Sequence, residues 1–98
     1  MRRYAIVYDR TAVFDMAELR AWIGRESSPQ IAARYLHRIR LFCQQLRQFP
    51  NRGMIRDDIR PGVRMITFEG RVDIAFEVQD NRVVIIRMLY AGCQFGSR

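Results

Sequence analysis

Hydrophobic positions along the chain change period several times, and each change marks an element. From Arg3 to Tyr8 they alternate, with Tyr4, Ile6 and Tyr8 on one face and Ala5 and Val7 on the other, which predicts a strand. Asp9-Arg10 leads out of it, and Thr11 offers a hydroxyl to cap a helix in which Asp15 and Glu18 sit early, near the positive end of the dipole. Ala12, Met16, Leu19 and Ile23 recur at helical spacing and predict a buried stripe with Trp22 on its border. The helix is expected to stop near Gly24. Arg25-Glu26-Ser27-Ser28-Pro29 then separates two helices, because Ser28 is a good N-cap and Pro29 suits the first helical position. The second helix is predicted from Pro29 to about Phe49. Ala32, Tyr35, Ile39, Phe42, Cys43, Leu46 and Phe49 trace its apolar face, Arg34, Arg38, Gln45 and Gln48 face away, and Pro50 closes it. So short a connection predicts an antiparallel helical hairpin.

After Pro50 the pattern lapses into a polar loop, residues 51–62, punctuated by Pro61-Gly62. Alternation returns at Val63, with Val63, Met65 and Thr67 opposite Arg64, Ile66 and Phe68. Glu69-Gly70 reads as a hairpin turn. In the following strand Val72, Ile74, Phe76 and Val78 face the core, while Arg71, Asp73, Ala75 and Glu77 face outward. Gln79 to Arg82 turns the chain into Val83-Val84-Ile85-Ile86-Arg87-Met88-Leu89-Tyr90, whose β-branched run predicts a strand buried on both faces. Three strands joined by short turns form an antiparallel meander. The expected fold is α+β, a two-layer β-α-α-β-β-β domain with the helical hairpin packed on a mostly antiparallel four-stranded sheet. The other sheet face is then free to work.

Composition narrows the function classes. Ninety-eight residues, 49% of them hydrophobic, predict a single domain with a modest core. No stretch approaches the length of apolar sequence that spans a membrane, and Met1-Arg2-Arg3-Tyr4 leads into a strand rather than a signal region, so a cytoplasmic protein is expected. Cys43 and Cys93 are too few for a disulfide framework and lack metal-ligand spacing. The formal net charge is +7, and all 17 basic residues are arginine. Arginine's rigid fork suits carboxylate or phosphate, so the surface is prepared for an anionic partner, either nucleic acid or an acidic peptide. His37, the only histidine, has no carboxylate within helical reach to orient it as a base. No helix-turn-helix pattern points to direct DNA binding.

The order of elements resembles the RelE/ParE toxin superfamily of type II toxin–antitoxin modules over roughly residues 3 to 95. The resemblance is carried by Ser28-Pro29 before Ala32-Ala33-Arg34, by Leu46-x-x-Phe49-Pro50-x-x-Gly53, by Val63-Arg64 opening a strand, and by the ending from Val84 to Gly92. The long paired helices look like the ParE branch, which implies poisoning of DNA gyrase through protein binding, without a catalytic residue, cofactor or metal. RelE-like relatives instead cleave messenger RNA on the ribosome, chemistry that needs a base and cations around one phosphate. Here Asp73 matches the strand position where those relatives carry a functional arginine, and the chain has no lysine. RelE-like cleavage and a nontoxic antitoxin-binding homologue stay open as alternatives.

The resemblance assigns Arg64, Arg87, Tyr90 and Cys93 to the effector or target-binding site. Cys93 stands where members commonly carry an arginine tied to activity, which implies an attenuated or substituted toxin. A cognate ParD-like antitoxin is the expected partner, with Trp22, Arg34, Arg38, Arg64 and Phe95 as its contacts and DNA reached only through it. On the sheet, Arg64 and Arg87 each have three readings: a contact with such a partner, a pairing with Asp73 or Glu77 across the strands, or a solvated sheet charge.

Overall fold

The structure is a computed structural model and describes residues 3–90. The chain runs β1 (Ala5–Tyr8), α1 (Arg10–Glu26), α2 (Pro29–Gln44), one 3-10 turn (Gln45–Arg47), β2 (Met54–Ile55), β3 (Val63–Phe68), β4 (Val72–Gln79) and β5 (Arg82–Tyr90). The α+β layering and the helical hairpin on a mostly antiparallel sheet are as expected from the sequence. The cap of α1 is different: the carboxylate of Asp9, not the Thr11 hydroxyl, accepts from a free backbone N–H, that of Thr11 at 3.3 Å. α1 also continues past Gly24 to Glu26. Ser28 caps α2 as its position predicts, its hydroxyl accepting from the N–H of Ile31 at 3.1 Å ahead of Pro29. α2 stops at Gln44 and tightens into the 3-10 turn, which rotates the last predicted stripe position out of the core. Phe49 is therefore 59% exposed, and Leu36 fills a core position that the periodicity did not single out.

Among the described residues the sheet has five strands, in the order β1-β5-β4-β3-β2, where four were expected. The additional strand is β2, whose Met54 and Ile55 pair antiparallel with Met65 and Arg64. Two residues carry no readable period, so the segment reads as loop in the sequence. Gly53 explains how the chain reaches that edge. Its φ is +84°, and a Cβ there would lie 2.4 Å from the carbonyl oxygen of Met65. Only glycine fits both demands. Gly53→Ala is expected to destabilise the domain by about 1–3 kcal/mol, measured as a lower urea midpoint at unchanged m-value.

β1 lies parallel to β5, with Ala5 to Tyr8 opposite Arg82 to Ile85. β3, β4 and β5 form the predicted meander. Glu69 and Gly70 both take positive φ, 52° and 68°, the two-residue turn whose twist matches a hairpin. Within the β4–β5 ladder Phe76 faces Ile85 but Ala75 faces Arg87, so Ile86 is bulged out. The bulge changes the parity of β5: Val83 and Ile85 enter the core before it, Met88 after it. The core lies between helices and sheet, built from Ala12, Met16, Leu19 and Ile23 of α1, Leu36 and Ile39 of α2, and Ile74, Phe76, Ile85 and Met88 of the sheet.

Candidate functional site

The functional geometry gathers where α1 crosses the second half of β5. β1 follows β5 only as far as Ile85, whose carbonyl accepts from the N–H of Asp9 at 2.9 Å. Beyond that point the outer side of β5 has no neighbouring strand among the described residues, and a bare N–H there would be costly to bury. Asp15 of α1 supplies the acceptor: its Oδ2 takes the Met88 N–H at 2.9 Å and the Arg87 Nε–H at 2.8 Å, while Oδ1 takes the Arg87 Nη2–H at 3.2 Å. The Asp15 side chain is 0% exposed and that of Arg87 34%. The hydrogen bonds to Asp15 raise the Arg87 pKa above its ordinary value. Asp15 and Glu18 thus do not serve the first helical turn, which holds no acidic residue. Asp15 instead occupies the buried stripe itself.

Of the readings open for Arg87, the cross-strand pairing with Asp73 or Glu77 is not the one the fold adopts. Asp73 accepts from the Thr67 hydroxyl at 3.0 Å, and Glu77 pairs with Arg60 at 2.6 Å. The bulge at Ile86 sets Arg87 opposite Ala75, on the sheet face of Asp73 and Glu77, but its fork is taken by Asp15. Burial pushes Glu77 up, but hydrogen bonds from Gln79 and Arg60 outweigh it and hold the carboxyl below its usual range. Arg64 makes no cross-strand ion pair either. Its Nη1 donates to the carbonyl of Asn51 at 3.2 Å, beside β2, and it joins no ion pair among the described residues.

Tyr90, the last residue of β5, starts a row of aromatic rings. Trp22 lies 5.1 Å from it and Tyr35 6.3 Å; Tyr35 meets Phe68 at 5.6 Å, and Phe68 meets Phe42 at 5.2 Å. The tilted and edge-on angles are those that ring quadrupoles favour. Two arginines frame the row. The Arg38 guanidinium stands 5.1 Å from the Tyr35 ring centre and 5.7 Å from that of Phe68, and it pairs with Glu69 at 2.6 Å. Arg71 donates to the Tyr90 hydroxyl at 3.4 Å. Burial raises the Tyr35 pKa, so its phenol stays protonated.

Of the residues singled out in the sequence, Trp22, Arg38 and Tyr90 come together in this row. Arg34 is exposed one helical turn before Arg38, whereas Arg64 sits at the β2–β3 edge and Arg87 faces Asp15. Cys93 and Phe95 lie outside the described residues. Asp15 and Arg71 were missed. For Asp15 the available signal was a carboxylate at stripe spacing, three after Ala12 and four before Leu19. Cys43 is a buried core thiol, as expected; burial pushes its pKa up to about 11, which leaves little thiolate near neutrality.

The opposite sheet face is partly covered. The Arg60–Glu77 ion pair ties the 56–62 loop over it, and a cavity of about 200 Å³ opens there between Ile59, Val63, Met65, Ala75, Ile86 and Leu89. Among the described residues, no group of three His, Cys, Asp or Glu side chains is placed to hold a metal ion, and no helix is long and apolar enough to cross a membrane.

Comparison with known proteins matches this geometry to one group. The family model for the ParE toxin of type II toxin-antitoxin system, parDE, matches residues 6–92. The chromosomal ParDE TA system from P. aeruginosa contains a chain with the same fold, at TM-score 0.78 and 24% identity over 90% of this chain and 96% of that one. A chain of the toxin-antitoxin complex RelBE2 from Mycobacterium tuberculosis superposes at TM-score 0.61, with 21% identity over 92% and 93% of the two chains. A search of curated proteins finds no match. With the helical hairpin, the parallel β1–β5 pair and the family match spanning nearly the whole described chain, this protein belongs to the ParE toxin family of type II toxin–antitoxin systems.

Proposed function

We propose that this protein inhibits DNA gyrase by binding it in the bacterial cytoplasm, and that a cognate ParD-like antitoxin neutralises it. The observation that supports binding over RNA cleavage is the state of the strand arginine Arg87. Its fork is committed to Asp15, and Asp73 presents an anion on the neighbouring strand. Cleavage of a phosphodiester calls for free cations and a base around one phosphate. His37, the only histidine, is exposed on α2. What the β5 end offers instead is a framed aromatic surface, Trp22, Tyr90 and Tyr35 between Arg38 and Arg71, the residue types that dominate protein-recognition surfaces.

The antitoxin in this reading contributes an acidic, amphipathic segment that orders on binding, its carboxylates meeting Arg34, Arg38 and Arg64 and its apolar side chains meeting Trp22 and Phe95. Binding of such a segment weakens as salt is raised, because exposed charges are screened over about 8 Å at physiological ionic strength. Cys93 in place of an arginine leaves the effector end without a bidentate anion contact, which attenuates the toxin.

The test is plasmid supercoiling by purified gyrase in the presence of this protein and of its Cys93→Arg variant. Stronger inhibition by the arginine form supports the reading. Absence of inhibition by both, with ribosome-dependent cleavage of messenger RNA, moves the protein to the RelE-like alternative. Arg64→Ala is expected to weaken growth inhibition while shifting unfolding by no more than about 0.5 kcal/mol. Full toxicity in that variant removes Arg64 from the site.

A further inference from the structure

We propose that Asp15 is a positioning residue for the effector end of this toxin, fixing the register in which β5 delivers Tyr90 to the surface. The inference rests on the reading above, in which the β5 end meets the target. Asp15 is the only buried charged residue among those described, and its carboxylate binds two successive residues of β5 through three hydrogen bonds. Trp22 follows two helical turns later on the same face of α1 and touches the Tyr90 ring at 5.1 Å. α1 therefore grips the last part of β5 at Arg87–Met88 and again at Tyr90.

That grip is needed because of where it falls. Immediately before it, Ile86 bulges out of the ladder and β1 has already ended, so among the described residues only β4 pairs with this part of the strand. A one-residue slip at a bulge sends every following side chain to the opposite face. With Asp15 holding the Met88 N–H and the Arg87 fork, Met88 enters the core and Tyr90 lands between Trp22 and Tyr35. A buried ion pair adds little stability over an apolar pair of like volume, and its best-attested use is to specify register.

The experiment compares Asp15→Asn with Leu19→Ala, an ordinary cavity variant on the same helix, in the chain as it stands and with Cys93→Arg. Asparagine keeps the size of the side chain and an acceptor for Met88 but loses the charged fork. Three quantities are read: urea unfolding, near-ultraviolet circular dichroism with fluorescence of Trp22, the sole tryptophan, and growth arrest on induction. The expected result is a folded Asp15→Asn protein with an altered Trp22–Tyr90 spectrum and growth arrest reduced by about tenfold or more, beyond that of Leu19→Ala at equal or greater loss of stability. An unchanged spectrum, or loss of arrest that follows stability alike in both variants, overturns the proposal. If the parent protein arrests growth in neither background, the toxin reading fails separately, and the spectrum alone decides whether Asp15 positions Tyr90.

Discussion

Arg87→Ala is expected to destabilise the domain by about 3–5 kcal/mol, a large share of the roughly 5–15 kcal/mol that holds a small domain folded. The substitution removes the cation and leaves the Asp15 carboxylate at 0% exposure with the Met88 N–H as its remaining hydrogen-bond donor. The cost is that of an uncompensated buried charge rather than of a lost attraction. Removing both partners tests this directly. The double variant Asp15→Leu, Arg87→Met is expected to be more stable than Arg87→Ala, because no buried charge remains. Urea denaturation of the parent, the single and the double variant measures the difference. A loss below about 1 kcal/mol for Arg87→Ala would mean that the pair behaves as an exposed salt bridge.

Phe76→Ala is expected to cost a comparable amount, about 3–5 kcal/mol, by a different mechanism. Phe76 is fully buried on β4, facing the helices and lying opposite Ile85 at the bulge. Truncation there removes apolar burial and leaves a cavity that strands paired on both sides cannot collapse to fill. For a domain of this size the melting temperature should fall by at least about 12 °C, measured by circular dichroism at 222 nm. Growth arrest should disappear together with the fold, which separates this variant from Arg64→Ala, where arrest weakens in a folded protein. The exposed pair Arg38–Glu69 gives the contrasting scale: at 50% and 45% side-chain exposure, its removal should cost no more than about 1 kcal/mol.

Which features were readable in advance follows from the range of the interaction that creates them. The α1 stripe of Ala12, Met16, Leu19 and Ile23, the Ser28-Pro29 start of α2, the Glu69-Gly70 turn and the inward face of β4 are written in neighbouring residues, because backbone periodicity and capping act over a single turn or pleat. The family resemblance likewise rests on such ordered local pieces, and the match over residues 6–92 agrees with it. By itself, then, the sequence determined the two-layer α+β plan, the core faces of its main elements and the family.

The tertiary structure alone decided how the site is put together. The Asp15–Arg87 bond joins residues 72 positions apart, and no local period announces it. The bulge at Ile86 arises from the competing registers of two strands, β2 exists only because β3 offers it an edge, and the aromatic row forms where four separate elements meet. Arg87 shows the consequence most directly. Read along the chain it is a cation free to meet a partner; in the fold it belongs to a buried carboxylate. Periodicity tells which side of an element faces inward, but which atoms meet there depends on register and packing between segments distant in sequence.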